Sequence, residues 1–355
     1  MRVPRLPANT CLREFWRGLT TPDFGVVKMA AVILLGLLGV VSAMAVNFRQ
    51  RIEAGEVNWR EMPNDFCRAS VIAASGAARQ TDPSATNFIL VGPSALRCWL
   101  PLPEEAEALA SSAVGSPARV KILCGDRQSY AYTSALIDRF GADFDGWFVI
   151  GVARQTIGRL RDDNLMFYRR QSRALCFDSE VLRKNAAFLG YPQERPTGWE
   201  LWDHRAFYQQ SRLGLHLPFL KRKPYRAYLP PSPIPEDPAI AGISALNPTV
   251  LEKNLITLKQ VADHVRASGR ARVALVETPW VDTFVDSMQT PAWRKDESAY
   301  HQAMREWSQR NNIPWIMAPA SFDLGVSDFA DFAHIGAPEP RRKFLEAVVR
   351  ELASH

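Results

Sequence analysis

Short apolar runs alternate along this chain with segments of helical periodicity, and this alternation limits the possible fold more than any other feature. A run of four to eight apolar residues bounded by turn signals is typical of a buried strand. Such runs occupy residues 87–91, 119–124, 146–152, 271–277 and 313–318. Strands that alternate with helices indicate βαβ units, because parallel strands need a crossover connection between them. The sequence therefore predicts an α/β domain with a five-stranded, mainly parallel sheet covered by helices.

The predicted helices lie between and after these strands. Residues 128–140 carry an apolar stripe, residues 161–190 are mainly helical in pattern, and residues 338–352 form a final amphipathic segment. Thr249–Glu252 is predicted to form a capping box at the start of a helix, and this helix is predicted to end at Gly269. Asp296 is predicted to cap another helix, which carries Tyr300, Met304 and Trp307.

An uncharged segment near the N-terminus predicts attachment to a membrane. Residues 29–46 contain no charged side chain, and as a helix they would span about 27 Å, close to the thickness of a bilayer core. A secretory signal peptide is the alternative, since Ala43-Met44-Ala45 matches a cleavage site, but the apolar run and the segment before it are long for one. We therefore expect a cytoplasmic segment (1–28), a transmembrane anchor (29–47), a stalk (48–86) and an exported domain (87–355). The expected location is the bacterial inner membrane, single-pass, with the C-terminal domain in the periplasm or outside the cell.

Charge and cysteine content narrow the class of partner. The chain has 43 Lys and Arg against 37 Asp and Glu, a net charge of +6, which is too weak a bias for a nucleic-acid-binding surface. Four cysteines follow the anchor, an even number that fits disulfides in an oxidising compartment, although buried free thiols are equally compatible. They are Cys67, Cys98, Cys124 and Cys176. Their spacing fits no zinc site, and no metal or cofactor is expected.

Residues 191–248 interrupt the alternation of strands and helices and are predicted to form an insertion. Their proline density excludes a regular helix or a central strand over much of this segment. Within it, Lys221–Tyr228 mixes basic and aromatic side chains. This pattern fits either binding of an anionic polysaccharide or lipid headgroups, or a solvated loop whose long side chains keep their charges in water.

Polar residues that can take part in a chemical reaction follow the ends of the predicted strands. In parallel α/β sheets the working residues lie beyond the carboxyl ends of the strands. Ser94 follows the first strand, Gly125 the second, Arg154 and Gln155 the third, and an Asp331-x-x-His334 motif follows the fifth. A serine, a histidine with a carboxylate, and free backbone amides are the components of acyl transfer at a serine.

Each component also has a structural interpretation. Ser94 follows a Gly-Pro turn and would serve as a turn residue or helix cap, and the Asp331–His334 pair would serve as an entry to the last helix. Ser129 is a rival nucleophile, but its place in the first turn of a predicted helix favours capping. The histidines of the insertion and of the predicted helices are interpreted as surface or structural residues. These are His204, His216, His264 and His301.

The order of these motifs resembles the SGNH (GDSL-type) hydrolase superfamily. The resemblance covers about residues 87–352: strand–Gly-x-Ser at Ser94, a glycine after the next strand, and FADFAHIGAPEPRRKFLEAVVREL, which is similar to the closing Asp-x-x-His block. It implies a flavodoxin-like sandwich in which Ser94 is the nucleophile, His334 the base and Asp331 its orienting carboxylate. The amides of Ser94 and Gly125 would form the oxyanion hole. The family's third block has an asparagine that donates to the oxyanion. Here Arg154 and Gln155 stand in that region instead, and they are predicted to complete the oxyanion hole: Gln155 would donate its side-chain amide, and Arg154 would stabilise the negative charge.

The form Gly-x-Ser-x-x-Arg behind one N-terminal anchor especially resembles exported SGNH-like proteins that work beside membrane-bound O-acyltransferases. This resemblance implies a serine esterase or O-acyltransferase acting on acyl groups of a cell-envelope polysaccharide, with a membrane O-acyltransferase as a partner. The missing asparagine leaves a second expectation open, a catalytically degenerate scaffold that binds polymer or that partner. A plain anchored structural protein is the third.

Overall fold

The computed structural model describes residues 24–58, 62, 65–75, 82–140, 144–158, 168–169, 171–172, 175, 177–191, 245–267, 269–278, 280, 290–317, 324–331 and 333–355. The strands are β1 (Thr86–Pro93), β2 (Ala118–Gly125), β3 (Gly146–Val152), β4 (Ala271–Glu277) and β5 (Trp315–Met317). The helices before β3 are α1 (Phe24–Glu53), α2 (Asp65–Ala74), α3 (Ser94–Trp99), α4 (Pro103–Val114) and α5 (Tyr130–Phe140). Those after it are α6 (Arg154–Ile157), α7 (Glu180–Leu189), α8 (Pro248–Arg266), α9 (Pro291–Asn311) and α10 (Pro338–Ala353).

The five strands form one sheet in the order β2-β1-β3-β4-β5, and every neighbouring pair is parallel. This is a doubly wound order, in which the order of strands reverses beside β1. The point of reversal lies at the carboxyl ends of β1 and β3, where ligands bind in folds of this class. The predicted α/β fold is confirmed, and the sheet is wholly parallel. Strands β3 and β4 have the predicted bounds, while β1 and β2 extend the predicted runs by one or two residues at each end.

Helices cover both faces of the sheet, which explains why its central strands are apolar on both sides. Alternate strand residues such as Phe88, Leu90 and Val149 pack in one core with side chains of α3, α4 and α10. The side chains between them point to the opposite face, since successive residues of a strand alternate. There α2, α5, α7 and α8 pack on one another and on the sheet.

The region predicted as a stalk contains a helix that is part of this packing. Helix α2 begins at Asp65, packs against β2 and α5, and buries most of its side chains, including Phe66 and Val71. The domain therefore includes residues well before 87. The segment's Ala- and Ser-rich composition suggested a linker, but small side chains also let a helix approach a sheet closely.

Two predicted helix caps are wrong. Helix α8 begins two residues earlier than expected, and Asn247, not Thr249, caps it by accepting a hydrogen bond from the amide of Val250 at 3.2 Å. Helix α9 begins at Pro291 with Thr290 as its cap, so Asp296 lies inside the helix. In both cases a polar residue followed by proline begins the helix, and proline is well suited to the first helical position.

The chain divides into two compact units, residues 1–50 and 51–355. Helix α1 contains the predicted anchor segment and is long and apolar enough to cross a membrane. This agrees with the coarse prediction of a membrane-spanning helix. The choice of membrane, the orientation of the chain and the decision between anchor and signal peptide stay predictions.

Three of the four cysteines that follow α1 are buried free thiols: Cys67, Cys98 and Cys124. Burial raises the pKa of both Cys98 and Cys124. For these three residues the free-thiol alternative holds, while Cys176 lies outside the described residues. So do residues 192–244, which include most of the predicted insertion and all of Lys221–Tyr228.

Candidate active site

Ser94 lies at the carboxyl end of β1, as the first residue of helix α3. Leu96 and Trp99 of this helix are completely buried, whereas Ser94 is partly exposed. The helix sits close to the end of β3 because residue 151 is glycine: a Cβ there would lie 2.8 Å from the side chain of Leu96. Packing of α3 against β3 thus fixes Ser94 at the edge of the sheet, where the residue is partly exposed.

Asp331 and His334 lie in a tight loop that leads into α10. The amide of Ala330 donates to the carbonyl of His334 at 2.6 Å, and Phe329 and Ile335 form an isolated antiparallel bridge. Inside this loop the Asp331 carboxylate accepts hydrogen bonds from the amides of Ala333 at 2.9 Å and His334 at 3.0 Å. The aspartate therefore organises the loop as well as facing the histidine ring.

Ser94, His334 and Asp331 form a continuous hydrogen-bonded chain. His334 Nδ1 lies 2.7 Å and 2.9 Å from the two carboxylate oxygens of Asp331, and His334 Nε2 lies 3.2 Å from Ser94 Oγ. In this arrangement Nδ1 donates to the carboxylate, which leaves Nε2 free to accept the serine proton. The side chains of Asp331 and His334 are 28% and 22% exposed, so a small ester can reach them.

Trp99 connects the two halves of this site, which are 240 residues apart in sequence. Its indole Nε1 donates to the carbonyl of Ala333 at 3.2 Å, and its ring packs against Phe329 and Phe344. The same buried side chain thus holds the serine helix, the histidine loop and α10 together. This contact fixes the position of the histidine loop relative to the serine helix.

The Asp331 carboxylate is held in its ionised form. Burial by itself raises the pKa of Asp331, but hydrogen bonding and charge from His334, together with the two backbone amides, outweigh burial and hold that pKa below its usual value. An ionised carboxylate at this position fixes the tautomer of His334 and stabilises the imidazolium that proton transfer would form.

Two of the predicted oxyanion donors lie at the same edge. As the first residue of α3, Ser94 has a backbone N–H with no carbonyl partner inside the helix. Gly125 is the register partner of Pro93 in the neighbouring strand. Its glycine identity also has a packing reason, because a Cβ there would lie 2.6 Å from the ring of Phe66 in α2. The donor role of both amides stays a prediction.

For the other two predicted oxyanion donors, Arg154 and Gln155, the structure does not show such a placement. Arg154 is buried and paired with carboxylates of α9, with Nη2 3.6 Å from Asp296 and Nε 3.3 Å from Glu297, and its guanidinium lies 5.0 Å from the ring centre of Trp293. Gln155 belongs to α6, but its side chain lies outside the described part of the structure. The structure thus brings Ser94, Asp331 and His334 together and places Arg154 in a separate set of contacts.

The rival serine is a helix cap, as its position suggested. Ser129 Oγ accepts a hydrogen bond from the amide of Tyr132 and donates to Gln171 Oε1 at 2.7 Å. His264 lies on the surface beside Asp138, whereas His301 is half-buried between Glu277 and Glu297. His204 and His216 lie outside the described residues.

Sequence reasoning missed the polar residues that end β4. Glu277 and Thr278 follow this strand at its carboxyl end, and Tyr300 and His301 face them from α9. The signal was present, because the rule that singled out Ser94 and Gly125 applies equally to residues directly after the fourth strand.

No protein-family model matches this chain, and no curated protein matches it. The chemistry of the site must therefore be inferred from the geometry of its side chains. A partly exposed serine, a histidine within hydrogen-bond reach and an ionised aspartate on the far side of the ring can together perform nucleophilic attack on an ester.

Proposed function

We propose that this protein is a serine ester hydrolase or O-acyltransferase of the SGNH type. The observation that carries the proposal is the chain Ser94–His334–Asp331, with 3.2 Å between the serine and histidine atoms and 2.7 Å between histidine and aspartate. The doubly wound sheet supports it, because the serine follows the first strand and the histidine loop precedes the last helix, the order that the SGNH resemblance implies.

In the proposed reaction Ser94 Oγ attacks the carbonyl carbon of an ester while His334 Nε2 takes the hydroxyl proton. The bond from the carbonyl carbon to the leaving oxygen then breaks, and His334 returns the proton to that oxygen, so an alcohol leaves and the acyl group stays on Ser94. In the second half, water or a sugar hydroxyl attacks the carbonyl carbon of the acyl-serine while His334 Nε2 takes its proton. The bond from this carbon to Ser94 Oγ then breaks, His334 returns the proton to Oγ, and the free acid or the new sugar ester leaves.

The substrate proposed from the sequence resemblance is an acylated cell-envelope polysaccharide, with a membrane-bound O-acyltransferase as partner. The N-terminal apolar helix supports a location at a membrane, which is where such a polymer is made and modified. Periplasmic exposure of the domain belongs to this proposal. The choice between hydrolysis and transfer depends on whether water or a hydroxyl reaches the acyl-serine.

Hydrolysis of p-nitrophenyl acetate by the full chain in detergent micelles tests the proposal. We expect Ser94→Ala and His334→Ala to reduce the rate to the background, since each removes a reacting group. Ser129→Ala is the matched control: it removes a serine hydroxyl that caps a helix, and we expect its rate to equal that of the parent protein.

Equal rates for the parent and both site variants would reject ester hydrolysis at Ser94. A parent protein without activity would favour the degenerate scaffold, and a binding assay with the polymer would then be the decisive measurement. Circular dichroism spectra that match the parent establish that each variant is folded.

A further inference from the structure

The helix that follows the histidine loop contains a buried arginine, Arg341. It is 3% exposed, and its spacing places it on the face of α10 that packs in the core through Phe344, Leu345 and Val348. Transfer of a charged side chain out of water costs free energy unless new hydrogen bonds replace those to water. A leucine or methionine would pack on this face without that cost, so the charge at this position requires a reason other than packing.

The Arg341 guanidinium extends from α10 to the loop that carries His334. Its Nη2 donates a hydrogen bond to the carbonyl of Ile335, the residue directly after His334. In the same peptide group, the amide of Gly336 donates to the carbonyl of Asp328 at 2.8 Å. Because the carbonyl and the amide of a trans peptide point in opposite directions, Arg341 and Asp328 hold this peptide group from two sides. The group lies where the loop closes and α10 begins.

The two carbonyls before this one also have donors, and these come from other parts of the fold. Trp99 of α3 donates to the carbonyl of Ala333 at 3.2 Å, and the amide of Ala330 donates to the carbonyl of His334 at 2.6 Å. Three consecutive carbonyls are therefore bonded to α3, to the loop itself and to α10. The backbone of His334 is fixed between them, and the 3.2 Å distance from its Nε2 to Ser94 Oγ depends on that fixation.

We propose that Arg341 is a positioning residue of the candidate active site. Its hydrogen bond to the Ile335 carbonyl fixes the histidine loop to α10, as Trp99 fixes it to α3, so that His334 Nε2 stays within reach of the serine hydroxyl. Arg341 acts through the loop and takes no part in the proton transfers. Its effect on the reaction rate rests on the proposed ester chemistry, whereas its effect on the loop does not.

The kinetics of p-nitrophenyl acetate hydrolysis by the full chain in detergent micelles tests the proposal, with Arg341→Met as the variant. Methionine fills much of the same space without the charge or the donors. We expect kcat to fall about 10- to 100-fold, because a displacement of reacting groups by about 1 Å costs about 10²-fold in rate. We expect KM to be unchanged, since Arg341 holds the loop and not the ester.

Thermal unfolding separates positioning from a purely structural role. Arg341→Met removes the cost of a buried charge but leaves the Ile335 carbonyl without its donor, and these two effects on stability oppose each other. We therefore expect a melting temperature close to that of the parent protein, together with the loss of kcat. A lowered melting temperature with the parent's kcat would identify Arg341 as a structural residue and overturn the proposal.

Arg342→Met is the matched control, because it changes the next residue of the same helix. The Arg342 side chain is 42% exposed and pairs at the surface with Glu105 at 3.1 Å and Glu339 at 3.9 Å. Exposed ion pairs contribute little to stability. We expect this variant to keep the kcat and the melting temperature of the parent protein.

Hydrogen–deuterium exchange measures the loop without any substrate. Mass spectrometry of peptides that span residues 328–337 reports on the amides of Ala330, Gly336 and Ala337, which are bonded inside the loop. We expect Arg341→Met to speed their exchange about tenfold, as the loss of one hydrogen bond from a charged donor would. Peptides from β1 and β3 should exchange as in the parent protein. Faster exchange throughout the domain would indicate a general loss of stability and contradict positioning.

Parent kinetics and parent exchange in Arg341→Met would overturn the inference and leave the ester chemistry standing. A parent protein without esterase activity would reject the proposed function, and faster exchange of the loop in the variant would still support the role of Arg341 in holding it. If Arg341→Met does not fold, Arg341→Lys replaces it, since lysine keeps a buried cation but lacks the planar set of donors. We expect a kcat below that of the parent protein, and a kcat and loop exchange equal to the parent's would overturn the proposal.

Discussion

The two polar regions at the carboxyl edge of the sheet differ in how their hydrogen bonds are completed. In the Ser94–His334–Asp331 site each member bonds to the next, and the aspartate also accepts two backbone amides. Among the polar residues around Glu277 and Tyr300, the charged side chains pair with one another, but Thr278 Oγ1 and the indole nitrogens of Trp293 and Trp315 form no hydrogen bond within the described residues. The first region is completed by residues that the structure describes, whereas the second keeps buried polar atoms that form no hydrogen bond among those residues.

The difference in hydrogen bonding gives the two regions different physical consequences. Preorganised groups lower a reaction barrier because they need no rearrangement when charge develops in the transition state. Buried groups that lack hydrogen bonds instead cost stability, because they have lost their bonds to water without replacing them. The contrast between the two regions can be tested by removing one polar group at a time from each.

The largest effect is expected from Asp331→Asn. Asparagine keeps the shape of the side chain, but it cannot hold His334 in the tautomer that accepts a proton, and in a serine protease the equivalent change reduces kcat about 10⁴-fold. We expect a reduction of about 10³–10⁴-fold in the hydrolysis of p-nitrophenyl acetate, on the same physical grounds. A folded variant that retains the parent rate would show that the aspartate only organises the loop.

The next-largest effect concerns the packing of α2 against the sheet edge that carries the candidate active site. Phe66 is buried against Gly125, and we expect Phe66→Ala to reduce the free energy of unfolding by about 3 kcal/mol, measured by urea denaturation. Phe188→Ala is the matched control, because Phe188 is 38% exposed and its loss should change stability by only about 0.5 kcal/mol. Equal effects of the two variants would mean that α2 is not part of the packed domain.

A pair of tyrosine variants compares a satisfied hydroxyl with an unsatisfied one. Tyr132 OH donates to the carbonyl of Phe66 at 2.8 Å, while Tyr300 OH faces the Glu277 carboxylate without a hydrogen bond of normal geometry, and both side chains are fully buried. We expect Tyr132→Phe to cost about 1 kcal/mol of stability and Tyr300→Phe to be neutral or slightly stabilising. A loss at Tyr300 as large as that at Tyr132 would mean that its hydroxyl is paired inside the protein.

The smallest effect is a change in how stability depends on pH. Hydrogen bonding to Glu277, followed by the charges of Glu277 and Glu297, raises the pKa of His301 above its usual value of 6.5, against the opposing effects of burial and Arg305. The protonated histidine is therefore favoured more in the folded protein than in the unfolded chain. Its contribution is complete below about pH 6.5 and is lost as the pH rises through the raised pKa.

His301→Gln should remove this part of the pH dependence, because glutamine does not titrate. Thermal unfolding between pH 6 and pH 9 measures it: the stability of the parent falls with rising pH more steeply than that of the variant. Parallel curves would show that the pairing of His301 with the two glutamates does not contribute to folding.

Local pattern was sufficient to predict much of the scaffold. Strands β3 and β4 were predicted with their observed bounds, and the apolar stripe of α8 is buried as its spacing indicates. The Asp-x-x-His motif was also recognisable, since its two side chains meet across only three residues. Helix caps were predicted less well, because Thr249 and Asn247 are both acceptable caps and the choice between them depends on where the chain enters the helix.

What the sequence by itself determined is the alternation of strands and helices, the apolar segment of α1 and the chemical character of the residues that follow each strand. These depend on contacts between near neighbours, which a short stretch of chain contains completely. Tertiary structure decided the rest. It brings His334 within hydrogen-bonding distance of Ser94, 240 residues away in sequence, and it packs α2 against Gly125. It also places Arg154, Glu277 and Tyr300 in one group of contacts with α9. The physical reason is that these groups meet only when whole elements stack on the sheet, so the spacing of residues along the chain carries no direct record of them.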